Sequence, residues 1–293
     1  MPKQKIVHNP VLLREVLHLL APKAGESYLD LTAGLGGHAG AILELTRAPK
    51  QALLIDRDPE AVKMLKKKFK DIDILQSDFL AASQELVERG KRFDLILADL
   101  GVSSLHFEQA LRGFSFVRPG PLDMRMDNSQ HLTAGEIVNH WDEQKIANLL
   151  KNYGEEPKSR AVAAKIVTNR PIHSTDQLAK VVASTYRFRS KTHPATRTFQ
   201  ALRIAVNDEL AQIQDSLPLM LQLLEPGGRL AVISFHSLED RLVKQAFKEA
   251  AGQGYEAEIR LLSKKPITAK AEEIALNPRA RSAKLRAVAK IKT

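Results

Sequence analysis

A short apolar segment followed by a glycine-rich turn is the first feature of this sequence that could do chemistry. Residues 28–40 read YLDLTAGLGGHAG, with Asp30 inside the apolar run and Gly36 and Gly37 in the turn. Glycines let a backbone approach a ligand closely, and the N–H groups of a following helix bind anions. The turn is therefore a candidate site for a cofactor that contains a nucleoside, either a dinucleotide or S-adenosylmethionine.

Polar and aromatic side chains around this turn favour S-adenosylmethionine. Asp30 precedes the glycines, where a carboxylate could anchor the cationic end of the methionine moiety. Asp56 ends the next apolar run, where it could accept both ribose hydroxyls, and Phe79 follows the third run, where an adenine would lie. Asp56 also lies near the distance expected of a ribose-binding acid in a dinucleotide site, so the glycine turn alone leaves that alternative open.

Asp99 ends a fourth apolar run, FDLILAD, and is predicted to face the same crevice. Methyltransferases that act on exocyclic amino groups usually carry Asn or Asp at this place, followed by Pro-Pro and an aromatic residue. The acid is present here and the Pro-Pro is absent. A carboxylate that accepts an N–H could orient an amine and stabilise the charge that develops on it, so Asp99 is the candidate catalytic residue. A contact to the cofactor alone is the alternative role.

The composition excludes several other chemistries. The chain has no cysteine, which removes disulfides, thiolate zinc sites and the cysteine nucleophile that methylation at carbon 5 of a pyrimidine requires. Its nine histidines show no paired ligand spacing, so no metal site is predicted. Methyl transfer to a nitrogen or to a ribose oxygen stays compatible with the composition.

The charge distribution indicates a polyanionic partner. The formal net charge is +10, and residues 177–207 and 277–293 each contain six Lys or Arg and no acid. Tyr186, Phe188 and Phe199 lie in or beside the first stretch, and RNA binding combines phosphate pairing with base stacking. A solubilising surface is the alternative explanation.

The order of apolar runs and helical patterns predicts a doubly wound α/β fold with a mainly helical insertion. Strand and helix signals alternate up to about residue 104, and a last parallel strand with the turn LLEPGGRLAVIS follows much later. That turn is typical of methyltransferase sheets. We expect a core domain of residues 1–104 and 201–293 and an insertion of residues 105–200. No apolar run is long enough to span a membrane, and the N-terminus makes a poor signal peptide, so a cytoplasmic protein is expected.

Longer motifs carry a resemblance to one family. VLLREVL, DLTAGLGGH, LLIDRDP, ADLGVSS, RGFSFVRPGPLDMRMD, HPATRTFQALRIAVN, GGRLAVISFHSLEDRLVK and NPRARSAKLR together resemble the ribosomal RNA small subunit methyltransferase H, or MraW-like, family. The resemblance covers nearly the whole chain. It implies a class I, Rossmann-like fold and transfer of a methyl group from S-adenosylmethionine to N4 of a cytidine in the decoding region of 16S rRNA.

The resemblance also implies which residues hold the cofactor and substrate. The expected cofactor contacts are Gly36, Gly37, His38, Asp56, Phe79, Asp99 and His106. The candidate substrate contacts, each with a solvated or salt-bridging role as the alternative, are Arg125, His193, Arg197 and Arg203. His236 could face the target base or cap the following helix. The insertion is the expected RNA-recognition domain, with the small ribosomal subunit as partner, and the oligomeric state is open, a homodimer included.

Two other classes of function remain at this point. A nucleotide-binding dehydrogenase would use the same glycine turn, and a non-catalytic RNA-binding or assembly factor could retain the fold. Selective affinity for NAD(P) would indicate the dehydrogenase, and affinity for S-adenosylmethionine would indicate the methyltransferase. Methyl transfer to 16S rRNA would exclude a purely non-catalytic factor.

Overall fold

The structure, a computed structural model, describes residues 10–101, 109–187, 193–252 and 257–291. The chain divides into two compact units: a core unit of Met1–Gly101 and Leu210–Thr293, and an insertion unit of Val102–Glu209. The sequence placed the second boundary at residue 200, inside a helix. The boundary falls later because Phe199, Ala201 and Leu202 of that helix belong to the hydrophobic core of the insertion unit.

The core unit is built on a sheet of seven strands in the order β3-β2-β1-β4-β5-β7-β6. The strands are β1 Tyr28–Asp30, β2 Ala52–Asp56, β3 Asp73–Gln76, β4 Phe93–Asp99, β5 Leu224–Ser234, β6 Ile259–Leu261 and β7 Lys284–Lys290. β1 to β5 are parallel to one another, while β7 is antiparallel to both β5 and β6. The predicted doubly wound sheet is thereby confirmed.

Helices cover both faces of this sheet, because its central strands are almost entirely apolar and need burial on each side. The helices of the core unit are α1 Leu13–Leu20, α2 Gly37–Thr46, α3 Pro59–Lys68, α4 Phe79–Glu88, α10 Glu209–Gln222, which begins at the unit boundary, α11 Ser237–Ala250 and α12 Ala271–Leu276. Short 3₁₀ turns lie at Pro49–Gln51 and Pro278–Ser282. Across the described ranges we find no helix with the length and apolar character that crossing a bilayer would need.

The register of the parallel strands brings the acids of the sequence prediction to one edge. Asp30 is the last residue of β1 and lies opposite Leu97 of β4, two residues before Asp99. Asp56 is the last residue of the neighbouring strand β2. Ligands of open α/β sheets bind at this carboxyl edge, so the topology puts the candidate residues where a cofactor would lie.

β5 starts earlier than the sequence indicated. A strand was expected from Arg229 after a Gly-Gly turn, and the structure pairs Leu224 with Phe93 before an irregularity that ends at the Leu95–Arg229 pair. A Cβ at Gly228 would lie 2.8 Å from a carbonyl oxygen of the same turn, and Gly227 has a φ of 80°. The two glycines thus form a bulge inside β5, so no turn separates two elements there.

The insertion unit is helical, as the loss of strand signals indicated. Its described helices are α5 Ala134–His140, α6 Glu143–Gly154, α7 Ser159–Thr168, α8 Thr175–Ala183 and α9 Ala195–Asn207, with a 3₁₀ turn at Ala110–Arg112. Thr133 and Ser174 cap α5 and α8 through their side-chain oxygens, which accept from backbone amides in the first turn of each helix. The apolar faces of these helices pack into a hydrophobic core of their own.

Candidate functional site at the carboxyl edge of the sheet

The glycine turn between β1 and α2 is shaped by packing within the protein. A Cβ at Gly36 would lie 2.5 Å from Phe69 Cε2, and one at Gly37 would lie 2.6 Å from Pro10 Cγ. A Cβ at Gly34 would meet only one backbone oxygen, at 3.9 Å. Neighbouring protein atoms therefore exclude side chains at Gly36 and Gly37, and the contact of these two residues with a cofactor stays a prediction. Gly34 faces open space.

The backbone amides of this turn remain suited to an anion. The first amides of α2 have no acceptor within the helix, and the N-terminus of a helix carries partial positive charge. Lys68 Nζ donates to the carbonyl oxygens of Leu35, at 3.2 Å, and Gly36, at 2.7 Å. This ammonium fixes the carbonyl side of the turn, adds positive charge beside it and leaves the amide side to a ligand.

Asp56 connects the glycine turn to the turn after β2. Its Oδ2 accepts from the amide of Gly34 at 2.8 Å, and its Oδ1 accepts from the amide of Asp58 at 2.8 Å. These bonds hold the carboxylate at the sheet edge in a fixed orientation. Its contact with a ribose stays a prediction.

Phe79 is the first residue of α4 and is half-buried, so part of its ring remains accessible. Asp78, just before it, caps the helix by accepting from the amides of Leu80 at 3.0 Å and Ala81 at 2.8 Å. Phe79 is therefore a half-buried aromatic residue at a capped helix end, and its contact with an adenine stays a prediction.

Asp30 is buried and held by a neighbour that the sequence analysis missed. The hydroxyl of Tyr28 donates to Asp30 Oδ2 at 2.7 Å, and the amide of Thr32 donates to Oδ1 at 3.1 Å. Burial raises the pKa of Asp30 to about 7, with a smaller contribution from the negative charge of Asp56, against the lowering effect of these two hydrogen bonds. The Asp30 carboxyl thus titrates near neutral pH, and a bound cation would favour its ionised form.

Asp99 is a poorly solvated acid at the end of β4. Its Oδ1 is buried with no hydrogen-bond donor among the residues that the structure describes, and its side chain is 25% exposed, at atoms other than Oδ1. Burial raises the pKa of Asp99 well above its usual range, and the negative charges of Asp30 and Glu239 raise it further. An acid in such a place is a stronger hydrogen-bond acceptor and base than an exposed one.

His38 lies beside Asp99 on the first turn of α2. Its Nδ1 is 3.8 Å from Asp99 Oδ2, and its Nε2 is 2.9 Å from the carbonyl oxygen of Val11. The contact to the Val11 carbonyl requires a proton on Nε2 and so fixes the ring orientation. His38 and Asp99, both predicted from the sequence, are brought together.

His236 has the second of the two roles considered for it. It is the N-cap of α11: its Nδ1 accepts from the amide of Glu239 at 3.4 Å, while Glu239 Oε2 accepts from the amides of Phe235 at 2.7 Å and His236 at 3.2 Å. Glu239 is fully buried and adds negative potential at Asp99. The sequence signal for it was the capping spacing of His236 and Glu239.

Two basic candidates in the insertion unit are bound within the protein. Arg203 makes a two-pronged ion pair with Glu209, at 2.8 Å from Nε and 2.7 Å from Nη2; Glu209 is buried and Arg203 is half-buried. Arg125 pairs with Asp123 in the same manner, at 2.9 Å and 2.8 Å, and donates from Nη1 to two carbonyl oxygens. The salt-bridging alternative considered for both residues matches this geometry.

His193 and Arg197, by contrast, lie on the surface of the insertion unit. The ring of His193 stacks on Phe116 with 4.6 Å between centroids, and Phe116 meets Phe199 edge to face at 5.0 Å. The exposed imidazole of His193, stacked on Phe116, suits contact with a nucleobase. The exposed guanidinium of Arg197, about one helical turn further along the chain, suits contact with a phosphate. His106, the remaining cofactor candidate, lies outside the described residues.

The strand order, the reversed β7 and the acids at the carboxyl edge define a class I, Rossmann-like methyltransferase fold. Residues 5–291 match the model of the MraW methylase family, and the chain belongs to that family. Similar proteins include the "Ribosomal RNA small subunit methyltransferase H" of Acidobacterium capsulatum, 47% identical over 97% of this chain and 98% of that one. A protein of the same name from Trichormus variabilis is 46% identical over 95% of this chain and 90% of that one.

Among solved structures, an rRNA methylase from Streptococcus thermophilus aligns over 98% of this chain and 99% of that chain, at 9% identity and a TM-score of 0.45. The assignment of this chain to the family rests on the sequence relatives and the family model, because this structural similarity is low. The family and the fold class that the sequence motifs predicted are both confirmed.

Proposed function

We propose that this protein transfers a methyl group from S-adenosylmethionine to N4 of a cytidine in the decoding region of 16S rRNA. The observation that carries the proposal is the state of Asp99. Its carboxyl is poorly solvated but accessible on one side, at the carboxyl edge of a methyltransferase sheet, so it can accept a hydrogen bond from an amine. The relatives named for methylation of small-subunit ribosomal RNA support the substrate. The resemblance of the motifs supplies the base and the atom.

The residues at the sheet edge fit S-adenosylmethionine. The amides at the start of α2 suit the carboxylate of its methionine moiety, and buried Asp30 suits the ammonium beside it. Asp56, held by two backbone amides, is proposed to accept the ribose hydroxyls, and Phe79 is proposed to contact the adenine. When bound, the sulfonium supplies an activated methyl group.

Asp99 is proposed to orient the acceptor amine. An N–H of the cytosine amine donated to the Asp99 carboxylate would direct the nitrogen toward the methyl carbon. Positive charge would develop on the amine nitrogen as it takes up the methyl group, and the Asp99 carboxylate would stabilise that charge and then accept the proton that the nitrogen releases. His38 Nδ1 lies 3.8 Å from Asp99 Oδ2, beyond hydrogen-bond distance, so the ring packs beside the carboxylate without donating a hydrogen bond to it.

The insertion unit is proposed to bind RNA, and the proposal rests on its exposed groups. Arg197 and the stacked ring of His193 are accessible, whereas Arg125 and Arg203 are occupied by acids. Reaching a base amine requires a cytosine that is unpaired or turned out of its stack, and stacking on an exposed aromatic surface lowers the cost of that conformation.

Incubation of the protein with radiolabelled S-adenosylmethionine and unmethylated small ribosomal subunits tests this function. We expect label in 16S rRNA, in a single methylated cytidine. Binding of S-adenosylmethionine without any transfer would indicate a non-catalytic assembly factor. Selective micromolar affinity for NAD(P), with none for S-adenosylmethionine, would indicate a dehydrogenase and overturn the proposal.

A further inference from the structure

A basic cavity lies in the core unit between α11 and the last two strands of the sheet. Its volume is about 210 Å³, large compared with the roughly 10–15 Å³ that one water needs. Its basic lining residues are Lys244 and Lys248 of α11, Lys264 after β6 and Arg286 of β7. No acid is among its lining residues, all of which belong to the described part of the chain. We call this feature the lysine cavity.

The four cations of the lysine cavity differ in how they are balanced. Arg286 is buried and donates from Nε to Asp240 Oδ1 at 2.7 Å, so its charge is compensated. Burial works to raise the pKa of Asp240, but Arg286 and Lys284 outweigh it and hold that pKa below its usual value. The three lysines are exposed, and none has an ion pair or hydrogen bond with any residue that the structure describes.

A polar group in the wall also lacks a partner. Ser263 lines the lysine cavity, and its hydroxyl oxygen is buried without a hydrogen bond among the described residues. Buried hydroxyls are normally hydrogen-bonded, so one without a protein partner marks a place for a ligand or water. Three uncompensated ammonium groups around an unsatisfied hydroxyl make a site for an anion that accepts several hydrogen bonds.

We propose that the lysine cavity binds a backbone phosphate of the RNA substrate, an inference that rests on the proposed function. Lysine presents a compact charge that suits a phosphate, and the one aromatic ring in the wall, Phe247, is 2% exposed, which leaves no face for a base. β6 lies three strands from β4 in the sheet, which corresponds to about 14 Å at the usual strand spacing. The lysine cavity therefore anchors RNA away from the nucleotide that is methylated.

The first test replaces the three lysines by glutamine: Lys244→Gln, Lys248→Gln and Lys264→Gln in one protein. Filter binding with 16S rRNA across a range of salt concentrations should give an affinity about tenfold lower and a plot of log K against log[salt] shallower by about 1, because the one phosphate contact of the cavity is lost. Affinity for S-adenosylmethionine should not change, since the cofactor residues are untouched.

A matched control carries the same change of charge on α3. Lys63, Lys66 and Lys67 are exposed there and lie against the opposite end of the sheet order. The control with all three replaced by glutamine should keep a salt slope within about 0.5 of wild type. Equal losses in both variants, or wild-type affinity and slope in the cavity variant, would overturn the inference.

The absence of cysteine from the chain allows a second, positional test. A hydroxyl-radical cleavage reagent attached to the single cysteine of Lys264→Cys should cut the RNA backbone, while the same reagent on Lys66→Cys should not. Cutting from residue 66 alone would overturn the inference even if the triple variant folds poorly. If the wild-type protein transfers no methyl group to small subunits, the proposed function is overturned. If it transfers methyl groups but the reagent at residue 264 does not cut the RNA, only the inference about the lysine cavity is overturned.

Discussion

The acids of the core unit and the arginines of the insertion unit are satisfied in opposite ways. Asp30 is buried and Asp99 is half-buried at the carboxyl edge. Neither acid has a Lys or Arg partner among the described residues, and desolvation raises the pKa of each. Arg125 and Arg203 each have a carboxylate within 3 Å of two guanidinium nitrogens. In the folded protein the ionised form of each acid lacks a positively charged partner within the described ranges, and a ligand can supply one. The arginines already have carboxylate partners within the protein.

This contrast separates residues that function needs from residues that the fold needs. A buried acid without a counter-charge costs stability, so its presence at a cofactor edge indicates a role in binding or catalysis. A buried, two-pronged ion pair is costly to break because the remaining charge has no partner.

Asp99→Ala should have the largest effect, a loss of about 10²–10³-fold in the rate of methyl transfer, because the group that orients the amine and stabilises its charge is gone. Single-turnover transfer of labelled methyl to small subunits measures the rate, and calorimetry measures cofactor affinity, which should fall much less. Full activity in this variant would show that another group orients the amine.

Arg203→Ala should lower the free energy of unfolding by about 3 kcal/mol, because it leaves the buried Glu209 carboxylate unpaired. Urea unfolding followed by circular dichroism measures this. The double variant Arg203→Ala, Glu209→Gln is the matched control and should recover part of the loss. A loss of RNA affinity without a loss of stability would instead assign Arg203 to the substrate.

Asp30→Asn should stabilise the protein without cofactor by on the order of 2 kcal/mol at pH 8. The pKa of Asp30 is about 7 in the folded protein against 3.8 for a free side chain. The stabilising contribution of the neutral acid is therefore present below about pH 4 and is lost as the pH rises through about 7. Thermal unfolding at both pH values measures the difference, which should vanish near pH 4. The same variant should bind S-adenosylmethionine more weakly, and unchanged affinity would remove Asp30 from the cofactor site.

Arg197→Glu should weaken RNA binding several-fold and reduce its salt dependence by about 1, since one exposed phosphate contact is lost. Cofactor affinity should stay unchanged. Arg160→Glu, which reverses another exposed arginine of the insertion unit, is the control. Equal RNA affinity in the Arg197 variant and wild type would count against α9 as an RNA surface.

Tyr28→Phe should have the smallest effect, an upward shift of less than about one unit in the pH at which cofactor affinity rises. The Tyr28 hydroxyl donates to Asp30 and so favours its ionised form. Loss of that hydrogen bond raises the pKa of Asp30, and the effect should be absent when Asp30→Asn is combined with it. An unchanged pH profile would make Tyr28 a packing residue only.

The sequence was sufficient for the alternation of strands and helices and for the edge at which Asp30, Asp56 and Asp99 meet, because parallel strands fix where their carboxyl ends lie. It could not show that Gly36 and Gly37 are required by Phe69 and Pro10, since those contacts join segments that are distant along the chain. A glycine-rich turn looks the same whether its glycines face a ligand or the protein.

Partner choice among charged residues was also beyond the sequence. Arg203 and Arg197 lie one and a half turns apart on α9, and only three-dimensional packing sets one against Glu209 and the other toward solvent. The role of Tyr28 was missed because a tyrosine inside an apolar strand gives no signal beyond burial, and its hydroxyl acquires meaning only two residues from a buried acid.

Mass mapping of 16S rRNA after incubation with the protein and S-adenosylmethionine tests the central claim most directly. Unmethylated small subunits should gain one methyl group, on the base of a single cytidine in the decoding region, and the fragmentation pattern should place it on N4. A methyl group on a ribose oxygen, on another base or outside the decoding region would contradict the account, as would RNA that gains no mass at all.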